Sequence, residues 1–169
     1  MKRKIIFIMV DGLGIPSAGW KRSFFYDFYP TFTSLIADHS IPVYTDMGVE
    51  GLPQSATGQT ALFTGLNAAK AMGGHILGFP GPRLREIIGK VNIFQDIIKM
   101  GLRPAFANAY VRYSLNELKA MNLRSVTTVM VESALGWVRD IEVLFSGEAV
   151  YHDITNEHIT NPGNKIQAL

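Results

Sequence analysis

Two short stretches of the sequence combine side chains that could hold a metal ion or attack a phosphate. In the first, Asp11 directly follows the apolar residues 5–10, and Gly12 comes next. A carboxylate at the end of a buried strand is costly unless a cation or hydrogen bonds compensate it, so Asp11 is a candidate metal ligand. The alternative is a loop aspartate that caps a backbone turn. A dinucleotide site is disfavoured, because the following residues lack the third glycine of G-x-G-x-x-G and include Pro16.

The second stretch, residues 51–65, is rich in hydroxyl groups, with Ser55, Thr57, Thr60 and Thr64. A serine at a strand-to-helix turn presents its hydroxyl at the N-terminus of a helix. There the unpaired N–H groups and the helix dipole stabilise a phosphate or a metal-bound alkoxide. The alternative is an ordinary serine N-cap, which needs no function.

Taken together, the two stretches resemble the alkaline phosphatase superfamily, and above all its metalloenzyme branch. That branch includes cofactor-independent phosphoglycerate mutase and phosphopentomutase. The resemblance is carried by the apolar run ending in Asp11-Gly12, and by Ser55 opening a short helix with Gly65 ten residues later. It implies that two divalent metal ions, Mn²⁺ or Zn²⁺, serve as cofactors, with Asp11 as a ligand of one. It also implies that Ser55 is both a metal ligand and the nucleophile that attacks a small phosphorylated substrate.

Other branches of the superfamily fit less well. The sulfatase pattern Cys/Ser-x-Pro-x-Arg is absent, because Ala-Thr-Gly-Gln follows Ser55. The nucleotide pyrophosphatase branch usually offers a threonine nucleophile. The best match therefore implies a phosphatase or phosphomutase.

The late ligands of the family, in Asp-x-x-x-His and Asp-His-Gly elements, do not appear after Ser55. The one acidic and histidine cluster is at residues 152–158, where the two histidines do not share a helix face. We therefore expect the chain to be the N-terminal part of a longer enzyme, inactive alone and with its metals absent or weakly bound. The alternative is a catalytically inactive relative that acts as a binding or assembly module.

Three further residues are candidate substrate contacts. His75 lies in a glycine- and proline-rich loop, where substrate-binding groups are frequent. Arg83 and Arg85 flank this loop and could bind a phosphate in bidentate fashion. The alternative for both arginines is a solvated helix face.

The pattern of apolar residues predicts an α/β fold, with a mostly parallel sheet flanked by helices and incomplete at its C-terminal side. We expect strands at residues 5–10, 42–45 and 103–109, and a strand or buried segment at 125–131. Helices are expected around residues 32–36, 57–63 and 84–88, and after the capping residues Asn92 and Ser114. Residues 1–110 would form the N-terminal part of the metalloenzyme core, and residues 111–169 a cap or insertion.

Composition narrows the class of protein. The chain has 169 residues, 47% of them hydrophobic and 18% charged, which excludes an intrinsically disordered chain. The net charge of +2 predicts no strong attraction to nucleic acid or to a membrane surface. The apolar residues 5–10 are too few for a secretory signal, which needs about 7–15, so we expect a cytoplasmic protein. An exposed sheet edge is expected to favour a homo-oligomer.

The shared-ion hypothesis makes one geometric prediction. If Asp11 and Ser55 bind the same ion, their side-chain oxygens should lie within about twice a metal–oxygen distance of 2.0–2.2 Å. With allowance for relaxation without metal, a separation above about 8 Å would exclude the shared ion.

Overall fold

The computed structural model describes residues 4–12, 14, 29–152 and 159. The chain forms two compact units, Met1–Asp46 and Met47–Leu169. The described residues form helices and irregular segments without a sheet, so the fold class is all-α.

The predicted α/β fold with a mostly parallel sheet is therefore wrong. Residues 5–10 and 42–45 form no strand, and residues 103–109 reach only isolated pairing at their end. The described β-type pairing consists of two parallel bridges, Asn108 with Val150 and Ala109 with Arg139. The predicted sheet edge for a homo-oligomer is likewise not formed by the described residues, and the oligomeric state stays a prediction.

The physical reason lies in what a strand requires. A strand is stable when neighbouring strands satisfy its N–H and C=O groups and cover its faces. Ile5 and Ile8 are 93% and 80% exposed, so this apolar run is not covered as a central strand would be. A short apolar run specifies neither a partner strand nor a register, so it does not by itself determine a sheet.

The first unit contains one described helix, α1 (Pro30–His39). The predicted helix around residues 32–36 is thus confirmed. Pro30 occupies the first helical turn, where its fixed φ angle and missing N–H are well tolerated. At the other end, the hydroxyl of Ser40 donates to the carbonyl of Ile36 at 2.6 Å and satisfies one terminal carbonyl.

The second unit holds the remaining described helices. Their bounds are α2 (Ser55–Thr64), α3 (Ala68–Met72), α4 (Pro82–Lys90), α5 (Ile93–Lys99), α6 (Leu115–Ala120), α7 (Val126–Leu135) and α8 (Ile141–Phe145). The predicted end of α2 at Gly65 is confirmed, because this glycine adopts a φ of 72° and its N–H bonds to the carbonyl of Ala61. A left-handed residue of this kind ends a helix at little cost when it is glycine.

The core of the second unit lies where α2, α3, α4 and α7 meet. Helix α2 packs against α3, α4 and α7, and α4 packs against α7. Leu84 is fully buried there against two small residues, Ala56 and Ala68. Ile76 and Ile87 pack around this cluster. Ala56 belongs both to this cluster and to the first turn of α2, so the first turn is fixed to the core.

Residues 125–131, predicted as a strand or a buried segment of uncertain type, belong to helix α7. The hydroxyl of Ser125 accepts the N–H of Thr128 at 3.2 Å and caps the helix. Val126, Val129 and Val131 are all buried. A helix that is apolar on several sides is stable when other helices enclose it, and this enclosure outweighs the β preference of valine and threonine.

Ser114 and Glu117 form the predicted capping box at the start of α6. The Glu117 carboxylate accepts the Ser114 N–H at 2.8 Å, and the Ser114 hydroxyl accepts the Glu117 N–H at 3.3 Å. The pKa of Glu117 is lowered by the hydrogen bonds that Ser114 donates to its carboxylate. The bond from the Ser114 backbone N–H has the largest effect, and the bond from the Ser114 hydroxyl comes second. The prediction of a helix start here is confirmed.

Asn92 connects three elements of the second unit. Its side-chain oxygen accepts the N–H groups of Phe94 and Gln95 at 3.1 Å and caps α5. Its amide nitrogen donates to the Ile88 carbonyl at 2.8 Å and to the Ser133 hydroxyl at 3.1 Å. Gln95 bonds instead to Gly89, so the predicted cap is confirmed without the reciprocal bond of a full capping box.

Replacing Asn92 with alanine is expected to lower the free energy of unfolding by about 2–3 kcal/mol, because a helix cap is lost and buried polar groups lose their partners. The matched control is Asn67→Ala at the start of α3, where the capping asparagine is exposed. It should cost only about 1 kcal/mol. Urea unfolding of both variants measures the difference. Equal losses would show that the bonds of Asn92 to Ile88 and Ser133 add nothing.

Within the described part of the chain, none of the helices has both the length and the apolar character needed to cross a membrane.

Candidate functional site

Ser55 is the first residue of helix α2. The N-cap residue is Gln54, in an extended conformation and without a capping side-chain hydrogen bond. The structure therefore does not use Ser55 as the ordinary N-cap that the sequence allowed as an alternative. Its hydroxyl group belongs to the first turn of a ten-residue helix, at the positive end of the helix dipole.

The other hydroxyl groups of this stretch have structural roles. Thr60 donates to the Ala56 carbonyl at 2.6 Å, and Thr64 donates to the Thr60 carbonyl at 2.7 Å. Thr57 donates to the Gln54 carbonyl at 3.3 Å. Threonine hydroxyl groups inside helices commonly bond to a carbonyl of the preceding turn. These bonds give the hydroxyl groups of the three threonines structural roles.

His75 is brought to the start of α2 by its neighbour Ile76. The N–H of Ala56 donates to the Ile76 carbonyl at 3.1 Å, and the N–H of Ile76 donates to the Thr57 hydroxyl at 3.2 Å. The residues that follow Ser55 and His75 are therefore hydrogen-bonded to each other. The structure places these two predicted site residues in one neighbourhood, although they are twenty positions apart in the sequence.

The contacts of the His75 ring determine which nitrogen carries the proton. Nε2 lies 3.3 Å from the carbonyl oxygen of Val49. Because a carbonyl only accepts hydrogen bonds, the neutral ring must be protonated at Nε2. Nδ1 then carries the lone pair, and this atom is buried without a hydrogen-bond partner in the described structure. An imidazole nitrogen in this state is a hydrogen-bond acceptor.

Gly51 belongs to the same neighbourhood. A Cβ atom on Gly51 would lie 3.5 Å from Cδ2 of His75, and the glycine adopts a φ of 114° that other residues rarely reach. Both observations show that the 49–51 turn lies directly against the imidazole ring and limits its position.

The two candidate arginines have different surroundings. Arg83 is exposed in the first turn of α4. Arg85 bonds through Nη2 to the Asn122 carbonyl at 3.1 Å and through Nη1 to the Asn122 side chain. Burial and the neighbouring Arg124 lower the pKa of Arg85. The guanidinium of Arg85 thus joins α4 to the end of α6, and a substrate phosphate would compete with Asn122 for it.

Asp11 lies in the first unit, at the turn after residues 5–10. Its side-chain oxygen Oδ1 accepts the N–H of Gly12 at 3.0 Å, and Gly12 adopts a φ of 75°. This geometry is that of a turn-capping aspartate, the alternative that the sequence left open. Because Asp11 and Ser55 belong to different units, the shared-ion distance stays a prediction.

The two-metal centre implied by the family resemblance needs several ligands in one place. Among the residues that the structure describes, no three histidine, aspartate or glutamate side chains lie together as a metal site. Of the acidic and histidine cluster at residues 152–158, His152 is described and residues 153–158 lie outside the described residues. The described side chains therefore do not form the multi-ligand centre that divalent catalytic metals require.

Sequence reasoning did not single out a cleft of about 420 Å³ in the second unit. Its lining includes Arg112, Tyr113, Asn116 and Trp137. The available signal in the sequence was the two tyrosines and the arginine within residues 110–113, Tyr-Val-Arg-Tyr.

Comparison with known proteins adds no relative: no family model, curated protein or solved structure matches this chain.

Proposed function

We propose that this protein transfers phosphoryl groups from small phosphorylated substrates, with Ser55 as the nucleophile. The observation that carries the proposal is the pair of hydrogen bonds from Ile76 to the first turn of α2. These bonds place the segment that contains His75 beside the first turn of α2, where Ser55 lies. A hydroxyl group, a neighbouring imidazole and a positive helix end are what phosphoryl transfer to a serine requires.

The reaction would proceed in two steps. The Ser55 oxygen attacks the phosphorus atom in line, a bond forms between them, and the bond to the leaving oxygen breaks. The hydroxyl proton passes to the imidazole of His75, and the leaving oxygen, on the opposite side of the phosphorus atom, takes a proton from water. In the second step, water or a second substrate hydroxyl takes the phosphoryl group from Ser55 and releases its proton to solvent, while His75 returns its proton to the Ser55 oxygen as the bond to phosphorus breaks. The helix dipole of α2 stabilises the negative charge of the transferred group.

Divalent metal ions, Mn²⁺ or Zn²⁺, are part of the proposal through the family resemblance, with Asp11 and Ser55 as ligands. When bound, such an ion would lower the pKa of the attacking hydroxyl. The described residues do not bring a full set of ligands together, so the steps supported by the structure involve Ser55 and His75 alone.

Trapping of the covalent intermediate tests the proposal. The full-length protein is incubated with p-nitrophenyl phosphate and either Mn²⁺ or Zn²⁺, quenched in acid and digested, and the peptides are analysed by mass spectrometry. We expect a phosphoryl group on Ser55, while Thr57 and Thr60 serve as internal controls in the same segment. Turnover with the label on another residue would exclude Ser55 as the nucleophile. No turnover with either metal would favour the alternative of a non-catalytic binding module.

A further inference from the structure

The cleft beside residues 110–113 has an unusual set of exposed groups. Trp137 and Tyr113 line it and are 52% and 45% exposed. Large aromatic side chains that remain half exposed in a cleft are typical of ligand-binding surfaces, because a ligand can bury them. The volume of about 420 Å³ lies within the range of small-molecule sites.

The cleft contains polar side chains that make no hydrogen bonds within the described fold. Arg85, Arg124 and Arg139 are all committed to hydrogen bonds within the fold. Arg112 is exposed and makes no hydrogen bond or ion pair within the described residues. The side-chain amide of Asn116, in the same lining, is also without a partner there. The cleft thus offers a planar cation and an amide that the fold itself does not use.

Trp137 determines what kind of ring the cleft prefers. The guanidinium of Arg139 lies 5.4 Å from the centre of the Trp137 ring and occupies one face. Arg139 is itself held by the carbonyl groups of Phe106 and Glu148. A second cation on the opposite face would be repelled by this fixed charge, whereas a neutral planar ring can stack there.

The charges of the cleft favour an acidic group on the ligand. Arg112 is an uncompensated cation, and guanidinium groups bind phosphate in bidentate fashion. The Asp140 carboxylate also lines the cleft, but its oxygen Oδ1 accepts the N–H groups of Glu142 and Val143 at 3.1 Å at the start of α8. The N–H groups at the start of α8 thus partly balance the negative charge of Asp140, whereas no group of the described structure pairs with the positive charge of Arg112.

A second cleft of about 300 Å³ shares Arg112 and Tyr113 with the first. Ser125 and Thr127 line it, but their hydroxyl groups are hydrogen-bonded to each other at 2.9 Å. Arg112 is therefore the group of the shared segment that is available to a phosphate.

We propose that this cleft binds a free nucleotide, with its base stacked on Trp137 and Tyr113 and its phosphate on Arg112. This site is separate from Ser55, and its existence does not depend on the proposed phosphoryl transfer. A cleft of this size accommodates one nucleotide, and the small net charge of the chain favours a free nucleotide over a nucleic acid strand.

Tryptophan fluorescence tests the proposal in the full chain. Trp20→Phe leaves Trp137 as the sole tryptophan. Titration with adenosine 5′-monophosphate is expected to quench its fluorescence to saturation. Adenosine should bind about tenfold or more weakly, because a bidentate charge-assisted phosphate contact is lost. Ribose 5-phosphate, which has no base, should not quench.

Variants of the lining residues assign the two contacts. Arg112→Ala should remove the preference for the monophosphate over adenosine, whereas Arg103→Ala, an exposed arginine outside both clefts, should leave it unchanged. Tyr113→Ala should weaken both ligands by about tenfold, the effect of losing one stacking partner. Trp137→Ala removes the fluorescent group, so the affinity of this variant for the monophosphate and for adenosine is measured by calorimetry instead.

Three results would overturn the proposal. The first is the absence of saturable quenching at millimolar monophosphate, and the second is quenching that neither Arg112→Ala nor Tyr113→Ala changes. The third is tighter binding of a short single-stranded oligonucleotide than of the monophosphate, which would reject a free nucleotide as the ligand.

Discussion

Replacing Ser55 with alanine is expected to lower the rate of phosphoryl transfer by about a thousandfold or more, because removal of a nucleophile removes the covalent pathway itself. The fold should be retained, since alanine is the best helix former and Ser55 occupies the first position of α2. Steady-state hydrolysis of p-nitrophenyl phosphate by the full-length protein with Mn²⁺ or Zn²⁺ measures the rate. Circular dichroism and the urea midpoint show whether the helix persists.

The matched control for Ser55→Ala is Thr64→Ala in the last turn of the same helix. This variant also loses one hydroxyl group, whose bond to the Thr60 carbonyl is structural. It should retain turnover close to that of the unchanged protein. If both variants lose activity equally, the effect comes from the stability of α2. If Ser55→Ala keeps its activity, Ser55 is not the nucleophile.

Replacing Leu84 with alanine is expected to lower the free energy of unfolding by about 2–5 kcal/mol, in the upper part of this range. Leu84 is fully buried against Ala56 and Ala68. The alanines are too small to fill the resulting cavity, and their helices are fixed by other contacts, so the site can collapse only in part. Urea unfolding should show a lower midpoint with an unchanged slope.

The control for Leu84→Ala is Leu62→Ala, which removes the same atoms from a side chain on α2 that is 54% exposed. The change in stability should be within about 0.5 kcal/mol, as for most surface substitutions. Similar losses in the two variants would show that Leu84 does not lie in a close-packed core. Ala56 belongs to the Leu84 cluster and bonds to Ile76, so Leu84→Ala should also weaken the hydrogen bond between Ala56 and Ile76.

The sequence predicted local features of the second unit well. Asn92 and Ser114 were predicted as helix caps, and Gly65 as the end of α2, and the structure confirms all three. Each depends on atoms a few positions apart along the chain. A capping side chain satisfies an N–H group two or three residues later, and a glycine ends a helix through its own backbone.

Residues 5–10 and 125–131 show where local reasoning reached its limit. Both are apolar, and the former was predicted as a strand. The described structure leaves residues 5–10 largely exposed and folds most of residues 125–131 into the buried helix α7. Apolar content predicts burial, whereas the choice between strand, helix and irregular chain depends on which neighbours cover the segment.

The candidate site also combines features that the sequence predicted with features that only the tertiary structure shows. The sequence by itself determined that Ser55 opens a helix region and that His75 lies in a loop, because hydroxyl, glycine and proline patterns act locally. Tertiary structure decided that the segment around His75 lies against the first turn of α2, through the bonds of Ile76 to Ala56 and Thr57. It also decided that Arg85 is held by Asn122 while Arg112 is left exposed. The physical reason is that a side chain's chemistry is a property of its residue type, whereas its partners are set by long-range packing and hydrogen bonding, which no local pattern encodes.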